Sequence, residues 1–163
     1  MKNLKINDMK RIITLSILLV STALSAQILN PATWQCLVSN KKIHKGDIVE
    51  LIFTVKLDAN WHLFSHIQAY ELGPLPTTFE FEPHNSYKLM GDMVAIGSIK
   101  QYDSIFDVSV NYFENRAEFR QKIKLLSENP NISGTYEYQV CSLIDGKCIM
   151  GSDDFEFQLQ TLK

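Results

Sequence analysis

Glu50-Leu-Ile-Phe-Thr-Val-Lys-Leu57 and Ala117-Glu-Phe-Arg-Gln-Lys-Ile-Lys-Leu125 are the stretches that decide the fold. In the first, Leu51, Phe53, Val55 and Leu57 alternate with Glu50, Thr54 and Lys56. In the second, Ala117, Phe119, Ile123 and Leu125 alternate with Glu118, Arg120, Lys122 and Lys124. A period of two sends successive side chains to opposite faces, so both stretches read as half-buried antiparallel strands. Phe79 and Phe81 against Glu80 and Glu82 repeat the pattern. Further strands are expected over residues 32–38, 61–65, 105–112, 134–141 and 154–161. Turn signals stand between the strands, at Lys45-Gly-Asp47, Glu71-Leu-Gly-Pro74, Glu82-Pro-His-Asn85, Glu114-Asn115 and Asn129-Pro-Asn131. No helical period is sustained, and about eight short strands separated by such turns point to an all-β, antiparallel β-sandwich.

A strand near the C-terminus carries the chemistry. In Gly134-Thr-Tyr-Glu-Tyr-Gln-Val-Cys141-Ser-Leu-Ile-Asp-Gly-Lys-Cys148, a strand ends in a cysteine and a turn leads to a second one. Tyr136, Tyr138 and Val140 alternate with Glu137, Gln139 and Cys141, so Cys141 shares the polar face. That register predicts a sulfur near solvent, where exchange chemistry is accessible.

The N-terminus has the form of an export signal. Lys2, Lys5, Lys10 and Arg11 lead into the apolar run Ile12 to Val20, followed by small residues through Ala23, Ser25 and Ala26. The run is short of the roughly 20 residues that a membrane span needs. Residues 1–26 are therefore expected to be a cleaved signal peptide, with Met9 an alternative start, and residues 27–163 to form one domain. Four of the 16 basic and one of the 18 acidic residues precede position 27, leaving 12 and 17 and a net charge of −5. Nucleic acid and anionic lipid are poor partners for such a surface, and no direct membrane anchor is expected. Three cysteines in an exported domain imply one pair and a free thiol.

An ordered set of motifs then resembles a known family. Ile28-Leu-Asn-Pro-Ala-Thr-Trp34, Glu50-Leu-Ile-Phe-Thr54, Asn60-Trp-His-Leu-Phe-Ser65, Gly73-Pro-Leu-Pro-Thr-Thr-Phe79, Tyr102-Asp-Ser-Ile-Phe-Asp107 and Tyr136-Glu-Tyr-Gln-Val-Cys141 before Cys148 are similar to the N-terminal domain of the DsbD family of protein-disulfide reductases. The resemblance spans essentially all of residues 27–163. It implies a periplasmic, immunoglobulin-like sandwich that takes electrons from a membrane donor and passes them to thioredoxin-like periplasmic proteins, including those of disulfide correction and cytochrome c maturation. Here the membrane donor would act in trans. The chain departs from the family in placing six residues between the cysteines, where four or five are usual, and Ile149-Met-Gly151 where a proline pair often stands.

Carried over by position, the resemblance makes Cys141 and Cys148 the redox pair and Phe106, with Asp103 and Asp107, a cap that shields them. His62, Tyr138 and Lys147 are candidate neighbours; Lys147 would favour a nearby thiolate. Sequence proximity and a common face make Cys141 and Cys148 the expected disulfide, and the apolar setting of Cys36 makes it the free, buried thiol. No cofactor is expected, and no metal site, because no Cys-x-x-Cys or His-x-x-x-His spacing is present. A second reading stays open, in which the chain is a non-enzymatic immunoglobulin-like binding module whose disulfide is a structural staple.

Overall fold

A computed structural model describes residues 29–40 and 42–159; the expected signal peptide lies outside the described residues. The chain divides at Asn30, and the sandwich is built from Pro31 onward. Its strands are β1 (Ala32–Val38), β2 (Ile48–Leu57), β3 (Trp61–Phe64), β4 (Thr78–Phe81), β5 (Tyr87–Ile96), β6 (Ile99–Asp103), β7 (Val108–Glu114), β8 (Arg116–Leu125), β9 (Asn131–Ser142) and β10 (Cys148–Gln158). All pairings are antiparallel, and no helix occurs among the described residues. One sheet has the order β1-β2-β8-β5 and the other β10-β9-β3-β7-β6, with β4 also on β9. The fold is the expected all-β, immunoglobulin-like sandwich.

The two stretches that decided the fold lie side by side in the four-stranded sheet, with Phe53 opposite Phe119 and Val55 opposite Ala117. Their apolar faces are fully buried in a core that also takes Leu63, Phe113, Ile132, Tyr136, Val140, Phe155 and Phe157 from the other sheet. Aromatic rings dominate it. Trp34 stacks on Tyr136 with ring centroids 4.2 Å apart, and Phe119 meets Phe79 at 5.1 Å and Phe113 at 5.2 Å. Offset and edge-on pairs of this kind add to what area burial alone supplies. Tight reversals use residues that tolerate a left-handed backbone: Asn60 (φ 66°) before β3 and Asn115 (φ 62°) between β7 and β8.

The edge of β9 opposite β10 is shared by two short strands. β4 pairs with its first half (Phe79 with Tyr136) and β3 with its last residues (His62 with Cys141). Between them the chain leaves the sheet edge, and residues 65–77 pass over the outer face of β9, where the Leu75 amide donates to Gln139 Oε1 at 2.7 Å. Gly134 permits the close approach of β4, because a Cβ there would stand 2.0 Å from the Glu80 carbonyl oxygen.

Four expectations are corrected. The strand placed over 105–112 begins at Val108, because residues 104–107 form the turn between β6 and β7. The strand placed over 154–161 begins at Cys148, its last residues lying outside the described chain. β5 and β6 were not expected at all. Both are edge strands; β5 buries only Tyr87 fully and is broken by a bulge between Met90 and Val94, and β6 buries no side chain fully, so neither carries an alternating signal.

Phe119 is wholly buried among Trp34, His66, Phe79 and Phe113. Phe119→Ala is expected to cost about 3–5 kcal/mol of unfolding free energy, measured by chemical denaturation.

Candidate functional site

Cys141 is the last residue but one of β9 and Cys148 starts β10, directly opposite each other in register, and the two are joined by a disulfide. The adjacent pair is hydrogen-bonded, with the Ser142 amide donating to the Lys147 carbonyl at 2.9 Å, so the cysteines occupy the close, non-hydrogen-bonded position, Cα atoms 4.1 Å apart. Ser142 Oγ accepts from the amides of Ile144 and Asp145, and Gly146 (φ 68°) closes the turn.

The register places Cys141 on the face of β9 away from the main core, as its alternation with Tyr136 and Val140 dictates. Its exposure differs from the expectation: only 1% of Cys141 is accessible. A second apolar cluster covers it, made of Phe64, Val110 and Tyr112, with Tyr70, Phe106 and Val108 packed around. Gln139 Nε2 donates to Cys141 Sγ at 3.4 Å. Cys148 is the exposed member of the pair. One sulfur is thus held in its own small core and the other faces solvent.

Phe106 is half-buried and meets Phe64 edge-on at 6.1 Å, outside the space between the sheets. Asp103 Oδ1 accepts from the amides of Ile105 and Phe106, at 2.8 and 3.2 Å, and so shapes the turn that carries both. Asp107 (φ 58°) accepts from the Tyr102 hydroxyl. A Cβ on Gly146 would come within 3.1 Å of Ile105 Cδ1, so the β6–β7 turn touches the turn between the cysteines. A cleft of about 410 Å³ opens between the two turns, lined by His62, Gln101, Tyr112, Ser142 and Ile144 among others. Its rim is apolar and exposed at Tyr102, Ile105, Leu143 and Ile144.

His62 is 6% exposed and stands directly across from Cys141 in β9 on one side and Glu114 in β7 on the other. Burial pushes its pKa below the ordinary histidine value, against the opposing pull of Asp103 and Glu114. Lys147 is 2.8 Å from Asp145, which it holds at a pKa of about 2. Its own charge is therefore compensated within the turn. Tyr138 lies on the other face of β9, against Trp34 and the main core, and does not join the site.

Cys36 is free and half-buried on the core side of β1, opposite Phe53. Burial, with Asp153 nearby, pushes its thiol up to about 11. Sequence reading missed Gln139, Phe64, Tyr112 and Ile105. Gln139 and Phe64 were within reach, since each stands two residues from a named candidate and shares its face.

No family model and no curated protein matches the chain. Among solved structures it is similar to the N-terminal periplasmic domain of ScsB from Proteus mirabilis, with a TM-score of 0.58 and 14% identity, covering 85% of this chain and 51% of that one. The chain has the fold of that periplasmic domain. It spans about half the length of the ScsB chain. The N-terminal domain of DsbD from Neisseria meningitidis, solved in the reduced form, superposes with a TM-score of 0.49 and 14% identity over 82% of this chain and 90% of that one.

At pH 8 a thiol titrating near 11 is thiolate in only about one molecule in a thousand. Native protein should therefore take up almost no iodoacetamide. After unfolding without reductant it should take up one equivalent, mapped to Cys36 by peptide mass spectrometry.

Proposed function

We propose that this is a periplasmic thiol-disulfide exchange domain that passes two electrons between protein partners through Cys141 and Cys148. The unequal exposure of the two sulfurs carries the reading. A partner reaches Cys148 directly, while Cys141 waits beneath Phe64 and Tyr112 to resolve what forms. In the reduced domain the Cys148 thiolate attacks a partner disulfide, giving a mixed disulfide and a partner thiolate. Cys141 then attacks Cys148 Sγ, re-forming the internal bridge and releasing the second partner thiolate. The partner gains two electrons and the domain loses two.

The position of the bridge argues against a mere staple. Closing a ring of about eight residues is worth roughly 2.5 kcal/mol at most in the chain-entropy model. A bridge selected for stability gains more by joining distant segments. The sandwich fold it shares with the ScsB domain and the family resemblance of the motifs support thioredoxin-like partners, a membrane donor in trans and a role in disulfide correction or cytochrome c maturation. Phe106, with the turn shaped by Asp103 and Asp107, serves as the shield.

Two experiments test this reading. Cys141→Ser, which leaves the exposed thiol, should form a reductant-sensitive one-to-one adduct with an oxidised thioredoxin-like protein. Cys148→Ser should form little, because its remaining thiol is buried. If neither variant forms an adduct and the double substitution only lowers stability, the bridge is structural and the chain is a binding module. Phe106→Ala should speed reduction of the disulfide by dithiothreitol several-fold, and its half-buried ring should cost less than the about 3–5 kcal/mol of a core phenylalanine.

A further inference from the structure

His62 is placed as no ordinary core histidine would be. Its strand neighbour across the ladder is Cys141, and directly opposed residues on one face hold their Cβ atoms about 4.5–5.5 Å apart. Its ring is edge-on to Phe64 at 4.9 Å and to Tyr112 at 5.2 Å, the same two rings that cover Cys141. It is almost wholly buried, yet Nδ1 has no hydrogen-bond partner among the described residues. A buried polar atom left unpaired costs free energy, and such atoms in folded proteins call for an explanation. The imidazole also borders the cleft between the two turns, so it links the buried sulfur to the side from which Cys148 is reached.

We infer that His62 is the base that takes the proton from the Cys141 thiol when the mixed disulfide is resolved. The inference rests on the exchange reading above and assigns a residue to its second step. The need is set by burial: a thiol in the Phe64–Tyr112 cluster is disfavoured as a thiolate by desolvation, and only the thiolate attacks. The thiol proton passes to imidazole as the sulfur attacks Cys148 Sγ. The Cys148–partner bond breaks, and the departing partner thiolate leaves with the bonding pair and collects the proton from the imidazolium or from water. The groups facing His62 suit both charge states. Glu114 and Tyr112 on β7 and Asp103 on β6 supply negative charge or a hydroxyl for the imidazolium, with the Tyr112 oxygen 2.7 Å from Gln101 Oε1 and 3.0 Å from Glu114 Oε1. Asp145 across the cleft is already paired with Lys147. Burial keeps the resting imidazole neutral and so able to accept.

The test uses the reduced full chain carrying Cys36→Ala and the small disulfide 5,5′-dithiobis(2-nitrobenzoate), so no protein partner is needed. Attack by Cys148 releases a first equivalent of coloured thiolate, and resolution by Cys141 releases a second. In both His62→Gln and His62→Phe, the ratio of the second rate to the first should fall by about a hundredfold, the lower end of what a positioned base supplies. Loss of the base should also change the pH profile. With His62 present the second phase slows as acid protonates the imidazole, below the ordinary histidine range. Without it the rate should keep climbing with pH beyond that range, because the attacking thiolate must then form without a neighbouring base. An unchanged ratio and profile in either variant overturns the role of His62 while leaving exchange intact. Slowing by Gln but not by Phe means that packing was at fault, which also overturns it. Absence of the first phase in the His62 protein removes the exchange reading itself, and this role with it.

Discussion

The candidate site depends on β9 being covered on both faces. One face, through Ile132, Tyr136 and Val140, closes the main core against the four-stranded sheet. The other carries Gln139 and Cys141 beneath the cluster of Phe64, Val110 and Tyr112. A strand fixed in this way cannot slip in register without moving its apolar residues to the wrong side. That constraint holds Cys141 still. The partner cysteine, on the outermost strand of the same sheet, is left at the surface.

The second cluster is small, and its parts come from segments far apart in the chain. Phe64 arrives on β3, Val110 and Tyr112 on β7, Phe106 on the turn before it, and Tyr70 on the segment that crosses β9. The same turn touches Gly146 in the loop between the cysteines. Movement of the β6–β7 turn would therefore change the access to the disulfide without disturbing the aromatic core around Phe53 and Phe119. The two clusters lie on opposite faces of β9, the aromatic core on one and the cover of Cys141 on the other.

The faces of the strands and the pairing of the cysteines were legible in the sequence, because both follow from a period of two and from proximity. Burial of Cys141 was not. Alternation says which residues share a face, but the cover on that face comes from residues that lie about 30 to 80 positions upstream. Edge strands were lost for a related reason. β5 and β6 present few side chains to any core, so their sequences resemble loops, and the middle of β10 is polar through Ser152, Asp153 and Asp154. His62 was visible as a residue of Trp61-His-Leu-Phe64, but its place beside Cys141 needed the β3–β9 register, which no local pattern encodes.

The reduction potential of the Cys141–Cys148 pair tests the central claim most directly. It can be measured by equilibrating the domain with dithiothreitol buffers and quantifying the two redox forms after acid quenching. Exchange between protein partners predicts a value less reducing than about −300 mV, within range of thioredoxin-like proteins. A value more negative than about −300 mV would mark the bridge as a structural disulfide and contradict the account.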